Sequence, residues 1–413
     1  MHELHSKSQE STPAAVACGA DPGGSQLRAQ AASAETSSTR TLMSMVAVIA
    51  TATIFGLSYS LSAPLIAVSL ENMGFSDRFI GINAAMHAVG VLAIAPFMPA
   101  LAARWGARRL AVLALVVTAV TLAAFPFVSS VAWWFPLRML LGAAAEALFV
   151  MSETWANSLT RDDARGRTMA MYTASLSLGM VLGPATLSWV GIGHRGYFLA
   201  AGLSLLAVLC IAGRWLVAPA RIRPESARPM VYARIAPMAI ATTVLNAGVE
   251  TAGLSFIGLY ATAQGWTNGQ AMRLISTLML GAIVLQLPIG WLADRVSKRK
   301  LAMALAWISA AGALCWPFVL AHPLLAFGIV FCWGGVFVGI YTVMLAMVGE
   351  RFSGANLVGI YAVMGLAWGV GALVGPMFAG LVMGASARFG LPGLISLACA
   401  LFAVFAMRAR SEA

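Results

Sequence analysis

The chain has 413 residues, of which 60% are hydrophobic and only 10% are charged, and its mean hydropathy is +0.85. A soluble domain carries about a quarter charged residues, and a single core stops growing near ~250 to 300 residues, so this composition excludes one water-soluble domain and indicates an integral membrane protein. The net charge of +11 would suit a nucleic-acid partner in a soluble protein. Most of the basic residues lie in short gaps between apolar runs, so we expect the lipid bilayer as the partner and no nucleic acid.

The first 40 residues are rich in Ser, Ala, Gly, Gln and Thr and contain no long apolar stretch. Such a segment cannot bury enough surface to fold alone, so we predict a disordered cytoplasmic tail at 1–40. The first apolar run, from about 42 to 70, is too long for the apolar region of a signal peptide. It is therefore predicted to remain as the first membrane span.

Apolar runs long enough for a membrane helix, about 20 residues, recur along the rest of the chain. We number them as spans 1 to 12, and their predicted ranges are 42–70, 79–101, 110–128, 132–157, 167–191, 196–218, 235–262, 270–293, 301–320, 324–349, 357–383 and 390–408. The sequence therefore predicts an all-α integral membrane protein with twelve transmembrane helices.

Lys and Arg concentrate in alternate loops, such as the loop at 104–109, whereas the intervening loops hold only Arg78, Arg195 and Arg388. Loops rich in these residues stay in the cytoplasm. We therefore expect both termini and the linker at 219–234 to be cytoplasmic. An even number of spans agrees with this arrangement.

Two pairs of similar segments indicate an internal duplication. "PALAARWGARR" (99–109) resembles "GWLADRVSKRK" (290–300), and aligning Arg104 with Arg295 gives an offset of 191 residues. "SLGMVLGP" in span 5 resembles "WGVGALVGP" in span 11, with an offset of 192 residues. The glycines of this second pair are predicted to let helices approach closely where the two halves must move.

The longest internal loop, "PARIRPESARPMVYAR", divides the spans into two sets of six. We predict an N-terminal six-helix bundle at 41–218, a cytoplasmic linker at 219–234 and a C-terminal six-helix bundle at 235–413. Secondary transporters are built from such repeats, with the substrate site at the interface between them. Because one chain contains both repeats, we expect the functional unit to be a single chain.

With these motifs the sequence resembles the Major Facilitator Superfamily over roughly 42–408. "GWLADRVSKRK" is similar to its cytoplasmic loop signature, "RMLLGAAAEA" to its fourth-span signature, here Arg138 and Gly142, and "GVGALVGPMFAG" to the Gly-Pro signature of antiporters. "MSETWANSLTRDDARGR" followed by "YTASLSLG" also resembles a subgroup of bacterial permeases, many without an assigned substrate. The resemblance implies an alternating-access permease with two pseudo-symmetric six-helix bundles in the bacterial cytoplasmic (inner) membrane.

In this family the acidic residue of the loop signature is thought to face the positively polarised start of a helix in the opposite half, which helps to close the cytoplasmic side. The second copy carries Asp294 and Arg295, whereas the first has alanine before Arg104. The resemblance therefore implies an asymmetric cytoplasmic gate, with Asp294 directed towards the start of span 5 near Arg165. Glu153, at the cytoplasmic end of span 4, is predicted to belong to the same gate. The alternative is that the basic residues only set the topology.

Three ionisable residues within the predicted spans are candidates for proton coupling: Glu250 near the middle of span 7, and Glu146 and Arg138 in span 4. A charge at the bilayer centre costs at least ~2.5 to 3.5 kcal/mol on the insertion scale, so such residues are functional candidates. Asn246 lies one turn before Glu250 on the same helix face, and a carboxylic acid in this setting can exchange a proton. Arg138 keeps its charge and is expected to pair with an acid or to bind an anion. For each residue the alternative is a structural contact between helices.

Uncharged polar and aromatic side chains within the spans are candidates for the lining of a substrate cavity. They are Tyr59, Asn83, His87, Tyr172, Asn246, Gln286, Tyr341, Tyr361 and Trp368. Each is a weak predictor by itself, because polar residues also occur in helix packing.

Together these features predict an alternating-access secondary transporter of a small organic solute, coupled to protons. The Arg138 and Gly-Pro patterns mildly favour efflux, but both also occur in importers, so the direction stays open. A proton-independent facilitator and a receptor or scaffold without flux are the alternatives. No metal-binding cysteine spacing, HExxH, GxSxG or GxxxxGK[ST] motif is present, so we predict no metal, no cofactor and no enzymatic activity.

Overall fold

The computed structural model describes residues 22–159, 165–213, 216–217, 234–352 and 354–408. Within this part of the chain, 12 helical segments are long and apolar enough to cross a membrane. In chain order they are Thr39–Asn72, Asp77–Trp105, Ala107–Phe127, Val131–Ala156, Met171–Val190, His194–Ala212, Pro237–Ala263, Asn268–Ala293, Lys298–Val319, Pro323–Arg351, Gly359–Ala385 and Gly390–Arg408. Each overlaps its predicted span, so the all-α prediction is confirmed and the span numbers are kept.

Two predicted boundaries are wrong. The first helix runs over Pro22–Asn72, so residues 22–40 are helical although their composition predicts a disordered tail. Gln, Ala, Leu, Arg and Glu in this stretch are good helix formers, and a helix already held by the bilayer-spanning part extends at little cost. Span 6 ends at Ala212 and not at 218, because Gly213 leaves the helical conformation. Residues 1–21 and all but the last residue of the predicted linker lie outside the described part of the chain.

Helix contacts repeat with a shift of six spans. Span 1 packs against span 5, span 2 against span 4, and span 3 against spans 4 and 6; in the same way span 7 packs against span 11, span 8 against span 10, and span 9 against spans 10 and 12. Gly90 meets the backbone of Met139 so closely that a β-carbon would overlap it, and Gly281 meets Phe331 in the same way. Gly90 and Gly281 are 191 residues apart, and Met139 and Phe331 are 192 residues apart. The two contacts therefore occupy equivalent positions, which supports the internal duplication.

Spans 2 and 8 also break at equivalent points. Span 2 contains a turn of 3-10 helix at Ala95–Phe97, around Pro96, and span 8 is interrupted at Leu285, three residues before Pro288. Proline lacks the backbone N–H and its ring clashes with the preceding turn, which kinks a helix. Pro96 and Pro288 are 192 residues apart, so the two breaks belong to the repeated unit.

The two halves contact each other through spans 2 and 11 and through spans 5 and 8. We call the end of the bundle that carries the loops at 104–109 and 295–300 the basic end, and the other the opposite end. At the opposite end Gly81 lies against the backbone of Pro376, and Gly380 lies against that of Asp77. Only glycine permits this separation, so the halves are in direct backbone contact there.

Buried apolar residues follow the same division. One cluster includes Leu65 of span 1 and Phe256 of span 7 and thus crosses between the halves towards the opposite end. Towards the basic end the first half has a cluster of its own around Leu115, and the second half has another around Met344. In the described part of the chain, the apolar contacts that join the halves therefore lie towards the opposite end, whereas the clusters around Leu115 and Met344 each belong to one half.

Arginines of the two basic loops cap helix ends in both halves. Arg108 donates through Nη2 to the carbonyl oxygen of Ala212 at the end of span 6. Arg299 donates through Nε and Nη2 to the carbonyl oxygen of Ala406, in the last turn of span 12, at 3.1 and 2.8 Å. The last carbonyls of a helix lack intrahelical donors and carry the negative end of its dipole, so a cation there is stabilising. These basic residues have a structural role besides setting the topology.

Candidate substrate site between the two halves

A cavity lies between spans 1, 2, 4, 7 and 11. Alanines, Leu254 and Pro376 form its apolar part. Its polar lining consists of Tyr59, Ser62, His87, Arg138, Thr251 and Ser255. Because both halves contribute, the cavity lies at the repeat interface, where substrates of such transporters bind.

Arg138 is the only cation of this lining. It lies in the second turn of the helix Trp134–Ser158, and one turn later Gly142 contacts the backbone of His87, which holds spans 2 and 4 together. The side chain is 4% exposed, and its Nε and Nη1 have no hydrogen-bond partner among the described residues. Nor does it form an ion pair with any carboxylate in that part of the chain, including Glu146. The arrangement leaves a buried, unpaired charge, which is costly unless a ligand compensates it.

Tyr59 connects the two halves. Its ring lies 5.3 Å from that of His87, measured between centroids. Its hydroxyl is close enough to Glu250 and Arg138 for both charges to act on it. Tyr59 and Glu250 are 191 residues apart, so equivalent positions of the two repeats face each other across the interface.

Glu250 is a partly buried carboxylate near the middle of span 7. Asn246 Nδ2 donates to Glu250 Oε2 at 3.4 Å, as their spacing predicts, while Asn246 Oδ1 has no partner among the described residues. Thr251 and Ser255, which follow on the same helix, line the cavity and were not predicted from the sequence. Their only signal was proximity to Glu250, because small hydroxyl residues are frequent in membrane helices.

Four predicted residues lie towards the basic end and do not line the cavity. The Tyr172 hydroxyl is 2.8 Å from Ser152 Oγ, buried between spans 5 and 4. Tyr341 of span 10 is acted on by the charges of Glu250 and Glu153, and so lies between the cavity and the basic end. Glu146 and Glu153 interact electrostatically with each other along span 4.

The remaining cavity candidates also lie outside the lining. Asn83 is buried, and neither atom of its amide has a hydrogen-bond partner in the described part of the chain. Trp368 packs against a small alanine cluster of spans 2, 7 and 11. Gln286 begins the second segment of span 8, and Tyr361 is an exposed side chain of span 11.

Among the predicted gate residues whose side chains the structure describes, no ion pair joins one to another. Asp294 and Arg104 are exposed, and Asp294 forms no ion pair within the described residues. The Arg295 guanidinium stacks on the Trp291 ring at 3.6 Å from its centroid. The side chain of Arg165 lies outside the described part of the structure.

A family model described as the Major Facilitator Superfamily matches residues 48–267 and 238–413. The chain belongs to the Major Facilitator Superfamily. It is therefore a membrane transporter and not an enzyme, and its family implies a small-molecule substrate. The observed twelve-span architecture and repeated packing are those of the superfamily.

Relatives and solved structures of the superfamily agree. The "Uncharacterized MFS-type transporter YfkF" of Bacillus subtilis (strain 168) is 25% identical over 339 residues, which cover 80% of this chain and 86% of YfkF. The "Uncharacterized MFS-type transporter Ent638_1421" of Enterobacter sp. (strain 638) is 23% identical over 60% of this chain and 65% of its own length. A point mutant of the nucleoside transporter NupG superposes with a TM-score of 0.73 at 14% identity, covering 89% of this chain and 99% of NupG. A D-xylose-proton symporter gives 0.70 at 14% identity, covering 89% and 97%. Such low identities show the fold alone.

Proposed function

We propose that this superfamily member is an alternating-access transporter that couples the movement of a small organic solute to protons. The observation that carries the proposal is the position of Glu250. This carboxylate lies at mid-span, opposite Tyr59 of the other half, and forms no ion pair within the described residues. A carboxylate retained at this depth without a counter-ion suits a group that binds and releases a proton.

Proton binding would act through the interface between the halves. Charged and neutral Glu250 interact differently with Asn246 and with the polar groups around it, so the proton biases the equilibrium between the two conformations of the transporter. We assign the observed arrangement, in which apolar contacts join the halves towards the opposite end, to one of these conformations. In the other, Asp294, Arg295, Arg104, Glu153 and Arg165 close the basic end.

We also propose that the basic end faces the cytoplasm of a bacterial cell and that both termini lie there. The distribution of Lys and Arg among the loops supports this orientation. The Arg138 and Gly-Pro patterns favour efflux only slightly over uptake, so the direction stays open. A facilitator without proton coupling, and a receptor without flux, are the competing functions that an experiment must separate.

The test measures uptake into liposomes that contain the purified full chain. A panel of small organic acids, amides and amines is assayed with and without an imposed pH gradient. We expect at least one compound whose accumulation follows the gradient in the wild type, and not in Glu250→Gln, because glutamine cannot exchange a proton. Empty liposomes correct for compounds that cross the bilayer unaided.

The matched control is Glu350→Gln. Glu350 is exposed, and its carboxylate lies 2.8 Å from Lys298 Nζ at the basic end, away from the cavity. This variant should keep the response to the gradient. Uptake that is equal with and without the gradient would establish the facilitator instead, and binding without uptake would establish the receptor.

A further inference from the structure

We infer that the substrate is a small organic monoanion whose carboxylate binds Arg138. The inference rests on the proposed function in one respect, namely that the cavity between the halves is the transport site. It adds the charge and the chemical class of the substrate, which the fold and the relatives leave open.

Arg138 lacks hydrogen-bond and ion-pair partners among the described residues. The side chain is 4% exposed, lines the cavity, and leaves Nε and Nη1 without hydrogen bonds to the described residues. A guanidinium keeps its charge and has only donors, so neither a change of protonation nor a neutral donor can satisfy it. An anionic ligand supplies both the countercharge and the acceptors.

The lining carries a single fixed positive charge. Arg138 is its only Lys or Arg among the described residues, and its other polar groups are hydroxyls and the His87 ring. A phosphate monoester would bring a second negative charge without a partner. A carboxylate carries one charge and two oxygens that match the planar guanidinium. The lining therefore favours a monocarboxylate over a phosphate.

The apolar part of the lining indicates what the rest of the ligand is like. Alanines, Leu254 and Pro376 make up the apolar lining. Ligand pockets are lined mainly by apolar side chains with a few polar groups that orient the ligand. The substrate body is accordingly apolar, with a hydrogen bond to Tyr59 or His87.

The experiment compares carboxylates with their own amides. The purified full chain is titrated at fixed ionic strength with benzoate and benzamide, hexanoate and hexanamide, phenylphosphonate and benzylamine, and the shift in unfolding temperature is recorded. Ligand binding stabilises the folded state by mass action. We expect at least one carboxylate to raise the unfolding temperature while its amide, the phosphonate and the amine do so much less.

Variants then locate the charge. Arg138→Gln should abolish the stabilisation by the carboxylate, and Arg138→Lys, which keeps the charge but loses the planar pair of donors, should weaken it by about tenfold. Arg273→Gln is the matched control, because Arg273 is exposed and, among the described residues, donates to Gly269 of its own helix and to no other residue. It should bind like the wild type.

The proposal is wrong if no carboxylate in the panel stabilises more than its amide, if phenylphosphonate or benzylamine stabilises more than benzoate, or if Arg138→Gln still binds the carboxylate. Because loss of Arg138 can itself disturb folding, the comparison of carboxylate with amide in the wild type is decisive if the variant is not recovered. Carboxylate binding with uptake indifferent to the pH gradient would leave this inference intact and reject proton coupling. Proton-driven uptake of an amine would support proton coupling and reject the carboxylate substrate.

Discussion

Arg138 and Glu250 stand in opposite halves of the molecule, and neither has a counter-ion among the described residues. The Tyr59 hydroxyl is the group on which both charges act. Two charges of opposite sign held apart near the middle of a bilayer cost free energy that direct pairing would reduce. Their separation is reasonable for a site in which substrate and proton, rather than the protein, supply the countercharges.

Two tyrosines predicted for the cavity have different surroundings, and a pair of phenylalanine variants distinguishes them. Tyr172→Phe removes the hydrogen bond to Ser152 and should lower the free energy of unfolding by about 1 kcal/mol, with carboxylate binding unchanged. Tyr59→Phe removes a hydroxyl that lines the cavity and should weaken binding and uptake several-fold. Unfolding curves and titrations with benzoate measure both effects. Equal loss of binding in the two variants would return Tyr172 to the substrate site.

At the scale of helices, the repeated close contacts set the position of the cavity. The glycines of the Gly-Pro segments were predicted to permit close approach, and Gly179 and Gly371 do meet the backbones of spans 1 and 7, respectively. The capping of spans 6 and 12 by Arg108 and Arg299 was not predicted. A basic loop is explained equally well by topology, and the sequence contains no sign of which helix end its side chains reach.

The capping role is tested by comparing two neighbouring basic residues. Arg299→Ala loses the hydrogen bonds to the end of span 12 and should destabilise the protein by about 1.5–3 kcal/mol, the range for hydrogen bonds to charged groups. Lys300→Ala removes the same topological charge from an exposed side chain and should change stability by at most about 0.5 kcal/mol. Thermal unfolding of both variants is the measurement. If they behave alike, Arg299 contributes charge alone.

At the scale of the whole molecule, access to the cavity should be one-sided. In a chain whose five cysteines are replaced, Thr251→Cys should react with a membrane-impermeant maleimide added at the basic end, and much more slowly with reagent added at the opposite end. Lys300→Cys is exposed near the basic end and Met73→Cys near the opposite end. Labelling of these two variants shows that maleimide added on one side does not reach the other. Faster reaction of Thr251→Cys from the side that labels Met73→Cys would mean that the cavity opens at the opposite end.

The sequence by itself determined the twelve spans, the duplicated six-helix unit and the membrane-buried charges. Each of these depends on local hydrophobicity or on similarity between segments, which can be counted without knowing how the helices pack. The tertiary structure decided that Tyr59, His87 and Arg138 share a cavity with Thr251 and Ser255, while Tyr172, Gln286 and Tyr361 lie elsewhere. It also decided that Arg138 stays unpaired among the described residues and that the apolar contacts between the halves lie towards the opposite end. These outcomes depend on the rotation of each helix about its axis and on contacts between spans far apart in the chain. In a bilayer nearly every face of a helix is apolar, so the pattern of residues does not indicate which face points to the cavity.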